Sequence, residues 1–373
     1  MEITKSAWAA VGAALILAAC GGGNGTQTSK VTFSSLVSFG DSLSDIGTYK
    51  VGTVAALGGG KYTINSATDK NWTELIAAQL SVATPCPAQT GLDGSAGQGF
   101  SVAVVNHAGC TNYAQGGARV TNPVGPGNKL LGGGNAILGQ LTTPVVTQVA
   151  NHLAAVGGAF SGTELVTVMA GGNDGIMAAE TYVGTMQAIT AGAGGAAAAA
   201  AASPTLVTNA NTAMSTAGTE LATLIKTQIL AKGAKYVLVV NLPNLGVTPY
   251  ATAEEAKIAG SRAIIANFSA AFNTALQTGL AGTSNVQIVD AYTIITDQAA
   301  NPAQYALTNV TTTACNLASP GNPLGTSLVC SANNTNTGDV SHYLFADSVH
   351  GTPYAYKLLA QLVSKDLAFA GWL

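Results

Sequence analysis

The run Val31-Thr32-Phe33-Ser34-Ser35-Leu36-Val37-Ser38-Phe39 leads straight into Gly40-Asp41-Ser42-Leu43-Ser44-Asp45, and this junction decides how the chain folds. The first part reads as a strand of the buried, parallel kind. Gly40 breaks it, and Asp41-Ser42 opens the next element. A serine at such a place has its backbone N–H among the unpaired donors of a helix start, which favour negative charge. Ser42 is therefore the candidate nucleophile. Taken by itself, Asp41-Ser42 also fits a plain helix N-cap, so the rest of the chain has to decide.

Further strand candidates follow at Ser101 to Val105, Leu165 to Met169, Tyr236 to Val240 and Val286 to Val289. Helical periodicity is predicted over Lys70 to Leu80, Leu141 to Ala155, Thr205 to Ala231, Ala253 to Leu280 and Tyr354 to Leu367. Strands alternating with long helices predict an α/β fold, a doubly wound, flavodoxin-like parallel sheet of five strands with helices on both faces. In such sheets the residues that do chemistry gather at the carboxyl ends of the strands. Ser42, Gly117 and Asn173 all fall in such positions. The Ala/Gly patch from Ala191 to Ala202 is too weakly hydrophobic to cross a membrane and reads as a helix end or a surface insertion.

Composition narrows the class. The chain has 373 residues, 47% of them hydrophobic and only 8% charged, so a large core can be built. A net charge of -3 with no basic block argues against a nucleic-acid partner. Low charge with abundant Ala, Gly, Thr and Asn suits a secreted or cell-surface protein.

The first residues carry their own signal. Lys5 precedes an apolar stretch, Ala7 to Ala19, too short for a comfortable membrane span. It ends in Leu17-Ala18-Ala19-Cys20-Gly21, which resembles the lipobox of bacterial lipoprotein signal peptides. The resemblance implies cleavage before Cys20 and a lipid on that cysteine. Residues 1–19 are then a signal peptide, 20–30 a flexible glycine-rich tether and 31–373 a single folded domain. The expected location is a bacterial membrane, the outer one in this reading, with plain secretion as the alternative. Four other cysteines remain, and an even number in an exported protein points to disulfides. The sequential pairing, Cys86–Cys110 and Cys315–Cys330, is favoured because each closes a local loop. No Cys–His spacing resembles a zinc site, and no metal or cofactor is expected.

Four blocks, in order, carry a resemblance. They are Gly40-Asp41-Ser42-Leu43, a small-residue turn with Gly116-Gly117, Gly171-Gly172-Asn173-Asp174, and the pair Asp347 and His350 in Asp347-Ser348-Val349-His350. Together they resemble the SGNH, or GDSL, hydrolase family, and they span residues 36 to 360. The layout is similar to plant GDSL lipases and to the passenger domains of bacterial esterase autotransporters. Those passengers precede a membrane barrel; here anchoring is expected through Cys20 instead.

The resemblance implies a serine esterase or lipase working through an acyl-serine intermediate. A neutral serine hydroxyl is a weak nucleophile and needs a base. His350 takes that role, and Asp347 holds its tautomer and stabilises its charged form. The oxyanion formed on an ester carbonyl is expected to meet the Ser42 N–H, a glycine N–H and the Asn173 amide. Family spacing favours Gly117 for the glycine, with Gly116 as the alternative. In many family members proline directly follows the histidine; here Gly351 and Thr352 intervene before Pro353. The expected partners are a small-molecule, lipid or polysaccharide ester and a membrane. Two other readings stay open: an acyltransferase of the same family, and a non-catalytic, ligand-binding surface lipoprotein.

Overall fold

The computed structural model describes residues 31–373. The expected signal peptide, Cys20 and tether lie outside the described residues. Strand β1 (Leu36–Gly40) forms where the apolar run predicts it, and all of its residues are buried. Next come α1 (Gly52–Ala56), α2 (Trp72–Gln79), β2 (Gln89–Asp93), β3 (Ser101–Asn106), α3 (Gly133–Leu138) and α4 (Val145–Ala155). The central part runs β4 (Leu165–Met169), α5 (Gly172–Ala191), α6 (Gly195–Leu224), β5 (Tyr236–Val240), α7 (Pro249–Lys257), α8 (Ser261–Leu280) and β6 (Val286–Val289). The chain ends with α9 (Ala291–Ala300), β7 (Asn309–Thr313), β8 (Tyr343–Phe345) and α10 (Pro353–Phe369).

The main sheet has four strands, all parallel, in the order β1-β4-β5-β6. Its strands alternate sides, as pleating requires. Val37, Phe39, Val166, Val168, Val237 and Val239 face one layer, with Val149 of α4, Tyr182 of α5, Leu221 of α6 and Phe268 of α8. Leu36, Leu165, Met169, Leu238 and Val240 face the other, against Trp72 and Ile76 of α2 and Val363 and Leu367 of α10. Both faces are covered, which is why these strands read as continuous apolar runs.

The expected fifth strand is a correction. Ser101 to Val105 does form a strand, but β3 pairs antiparallel with β2 in a ribbon outside the main sheet. Val104 and Val105 are about half exposed there, at 50% and 47%. The edge beside β1 is taken instead by Thr111 to Tyr113, reduced to a single bridge between Ser38 and Asn112. Ser38 donates to Thr111 O at 3.0 Å and Tyr113 donates to Ser38 O at 2.8 Å. The Cys86–Cys110 disulfide ties this segment down, and with it the order still reads as doubly wound.

Two helices also depart from expectation. Gly260, at φ +88, breaks Ala253 to Leu280 into α7 and α8. The Ala/Gly patch is a junction: α5 ends at Ala191, and the alanines after Gly195 form the first turns of α6. Among the described residues no helix is long and apolar enough to cross a membrane.

Candidate active site

Every block of the resemblance meets at the carboxyl end of the sheet. β1 stops at Gly40, whose φ of +152 and close approach to β4 admit no side chain; a Cβ there would lie 2.1 Å from Met169 O. Gln148 of α4 clamps the same residue, accepting the Gly40 N–H and donating to its carbonyl, both at 2.8 Å. The chain then makes one turn, with Ser44 and Asp45 both donating to Asp41 O at 3.0 Å. The helix expected after Ser42 ends with that turn. The Asp45 carboxylate takes the N–H groups of Gly47 and Thr48, at 2.9 and 2.8 Å, and turns the backbone aside.

Ser42 is buried, 7% exposed, and faces the loop after β8. His350 Nε2 lies 2.8 Å from Ser42 Oγ. On the other edge of the ring, His350 Nδ1–H donates to Asp347, 2.8 Å from each carboxylate oxygen. A donating Nδ1 leaves Nε2 free to accept from the serine hydroxyl. Burial works against charge on Asp347, yet His350 and the N–H groups of Ser327 and Val349 outweigh it and hold the carboxyl well below the usual range. The Tyr62 ring packs against the imidazole, centroids 4.6 Å apart, and fixes its plane. The Gly351-Thr352 insertion before Pro353 leaves this geometry in place, because Thr352 caps α10 by accepting from Ala355.

The remaining blocks surround Ser42. Gly116 donates to Asp45 Oδ2 at 2.9 Å. The N–H groups of Ser42 and Gly117 have no partner among the described residues. Gly117 sits at φ +76, with Pro126 O 2.2 Å from where a Cβ would be. Asn173 opens α5 and donates from Nδ2 to Ala118 O at 2.8 Å. Its neighbour Asp174 accepts from Arg119 Nε at 2.9 Å and from the Val120 N–H at 3.0 Å. The start of α5 thus holds the whole turn from Ala118 to Val120.

A model of the GDSL-like lipase/acylhydrolase domain matches residues 36–363. The chain belongs to the GDSL-like lipase/acylhydrolase family. No curated protein matches it.

In this GDSL-like chain a pocket of about 910 Å³, its open mouth included, leads from Ser42, Asn173 and His350 into the protein between α9 and α10. Its walls are mostly apolar, with Ile176, Leu242, Ile294, Leu344 and Leu359 among them. Asp41 also lines it, and burial pushes its carboxyl up to about 6, against the pull of the Leu43 N–H and of His350.

The other three histidines stay outside. His107 bonds Thr90, His342 stacks on Tyr354, and His152 packs among Phe39, Tyr113 and Phe160. Trp72 is core, and Arg119 serves Asp174. Asp45, Gln148, Tyr62 and Ser327 were not singled out from the sequence. Asp45 stands in the opening motif itself; the other three come from distant segments and gave no local signal.

Proposed function

We propose that this chain is a serine hydrolase of carboxylic esters, with Ser42, His350 and Asp347 as its triad. The observation that carries the reading is the unbroken hydrogen-bond chain from Ser42 Oγ through the imidazole to Asp347. His350 Nε2 takes the serine proton as Oγ attacks the ester carbonyl, and Asp347 steadies the imidazolium. The oxyanion meets the Ser42 N–H, the Gly117 N–H and the second Nδ2 hydrogen of Asn173. Gly117 is preferred over Gly116 because Asp45 already holds the Gly116 N–H. His350 then gives its proton to the leaving alcohol. Water, activated by the same histidine, attacks the acyl-serine and releases the acid. The family match over residues 36–363 supports reading 31–373 as one hydrolase domain.

Export and a lipid on Cys20 belong to the same proposal, and the two disulfides support an oxidising compartment. The first test is a fluorophosphonate probe with the adduct mapped by mass spectrometry. Labelling is expected on Ser42 and lost in His350→Ala; labelling elsewhere, or none on folded protein, rejects the triad. Cys20→Ala should leave the membrane fraction, and its retention there rejects the lipid anchor.

A further inference from the structure

The inner face of α9 presents Ala291, Ile294, Ile295 and Gln298 to the pocket, one stripe at helical spacing. The first three are apolar. Gln298 is 6% exposed, and its side-chain amide has no hydrogen-bond partner among the described residues. Every other polar side chain on the pocket wall has one. Ser42 and His350 bond each other, Asp41 accepts from Leu43, and Asn173 donates to Ala118 O. Thr248 donates to Leu245 O and Tyr356 to Tyr62 O. Gln298 lies two helical turns beyond Ala291, a climb of about 10 Å at the α-helical rise.

A glutamine amide offers two donors and an acceptor. Buried polar groups are paired as a rule, and one left open toward a ligand cavity is paired by what enters. We infer that the pocket takes an acyl chain bearing a hydrogen-bonding oxygen, a hydroxyl or a carbonyl, at the depth of Gln298. The inference rests on the ester hydrolase reading and names its substrate class: esters of oxygenated acids in preference to plain alkanoates. A site that pairs a substrate oxygen rejects the analogue lacking it more strongly than an apolar pocket rejects a missing methylene.

The test uses the purified protein with p-nitrophenyl octanoate and a series in which a single hydroxyl is walked along the same chain. p-Nitrophenyl acetate, whose acyl group is a single methyl with no oxygen to pair, is the control. At one hydroxyl position kcat/KM should exceed that of plain octanoate by about tenfold or more. Gln298→Met, similar in size but apolar, should abolish that preference and leave acetate turnover unchanged. The inference is overturned if wild-type protein prefers the plain chain at every position, or if the preference survives in Gln298→Met. If the variant does not fold, the wild-type series alone decides. Acetate turnover with no hydroxyl preference sinks this inference only; no turnover of any ester and no fluorophosphonate adduct sinks the hydrolase reading with it.

Discussion

The backbone N–H of Ser327 donates to Oδ2 of Asp347 at 2.8 Å, from a loop that the Cys315–Cys330 disulfide closes. On the other side, Cys315 N–H donates at 2.9 Å to the carbonyl of Ala346, the residue just before Asp347. The disulfide therefore grips the segment carrying Asp347 from both flanks. Replacing both cysteines by serine is expected to cost about 3 kcal/mol of stability, since the bond spans a separation of 15 residues. It should also lower kcat while the protein is still folded. Urea titration and steady-state kinetics at low temperature check this; unchanged kcat in a destabilised variant removes the proposed link to Asp347.

Asn173 gives one amide hydrogen to Ala118 O, and the proposed mechanism assigns the other to the reacting oxygen. Asn173→Ala should lower kcat by about 10²-fold to 10³-fold, as for loss of one oxyanion donor. KM should hardly move, because the bond strengthens only in the transition state. A change confined to KM counts against the assignment.

Gly116 is pressed by Tyr62: a Cβ there would meet the Tyr62 hydroxyl oxygen at 2.1 Å, and that ring packs on His350. Gly116→Ala should destabilise the protein by about 1–3 kcal/mol through overpacking. It should slow fluorophosphonate labelling of Ser42 as well, because the displaced ring moves the imidazole. Wild-type melting and labelling in this variant would show that the contact carries no strain.

Asp41 gives a pH prediction. Its carboxyl rises from an ordinary 3.8 to about 6, chiefly through burial. Between those values the folded protein binds more protons than the unfolded chain, so this group's contribution to stability falls as pH rises through the window. At pH 7 the loss is on the order of 3 kcal/mol relative to an unshifted carboxyl. Asp41→Asn does not titrate, so its Tm relative to wild type should climb from pH 4 to pH 7. A constant difference would mean that Asp41 is not shifted.

The sequence made the two-faced strands legible because β1, β4, β5 and β6 are continuous apolar runs, and a run buried on both sides needs no long-range information to be seen. That Ser42, Asn173, Asp347 and His350 come together was legible because each stands in a short motif. Both disulfides were legible from loop length. What local pattern missed is decided at a distance. The edge place beside β1 went to Asn112 because Ser38 and the Cys86–Cys110 bond hold it, and no alternation of residues encodes that. Family spacing leaned toward Gly117 without deciding it; the carboxylate of Asp45, which holds the Gly116 N–H, separates the two. Gln298 reads as an ordinary helix residue until the pocket beside it is seen.

The direction of β1 carries one more consequence. Val31 packs against the core layer that includes Leu36 and Leu165, and Ser34 bonds Thr163 at the start of the sheet, whereas Ser42 stands past its far end. The intervening strand is roughly 17 Å long at the usual rise per residue. Anything that tethers this chain ahead of Val31 pulls on the rim opposite the pocket mouth. In the proposed anchored form, the attachment point and the pocket mouth therefore lie at opposite ends of β1.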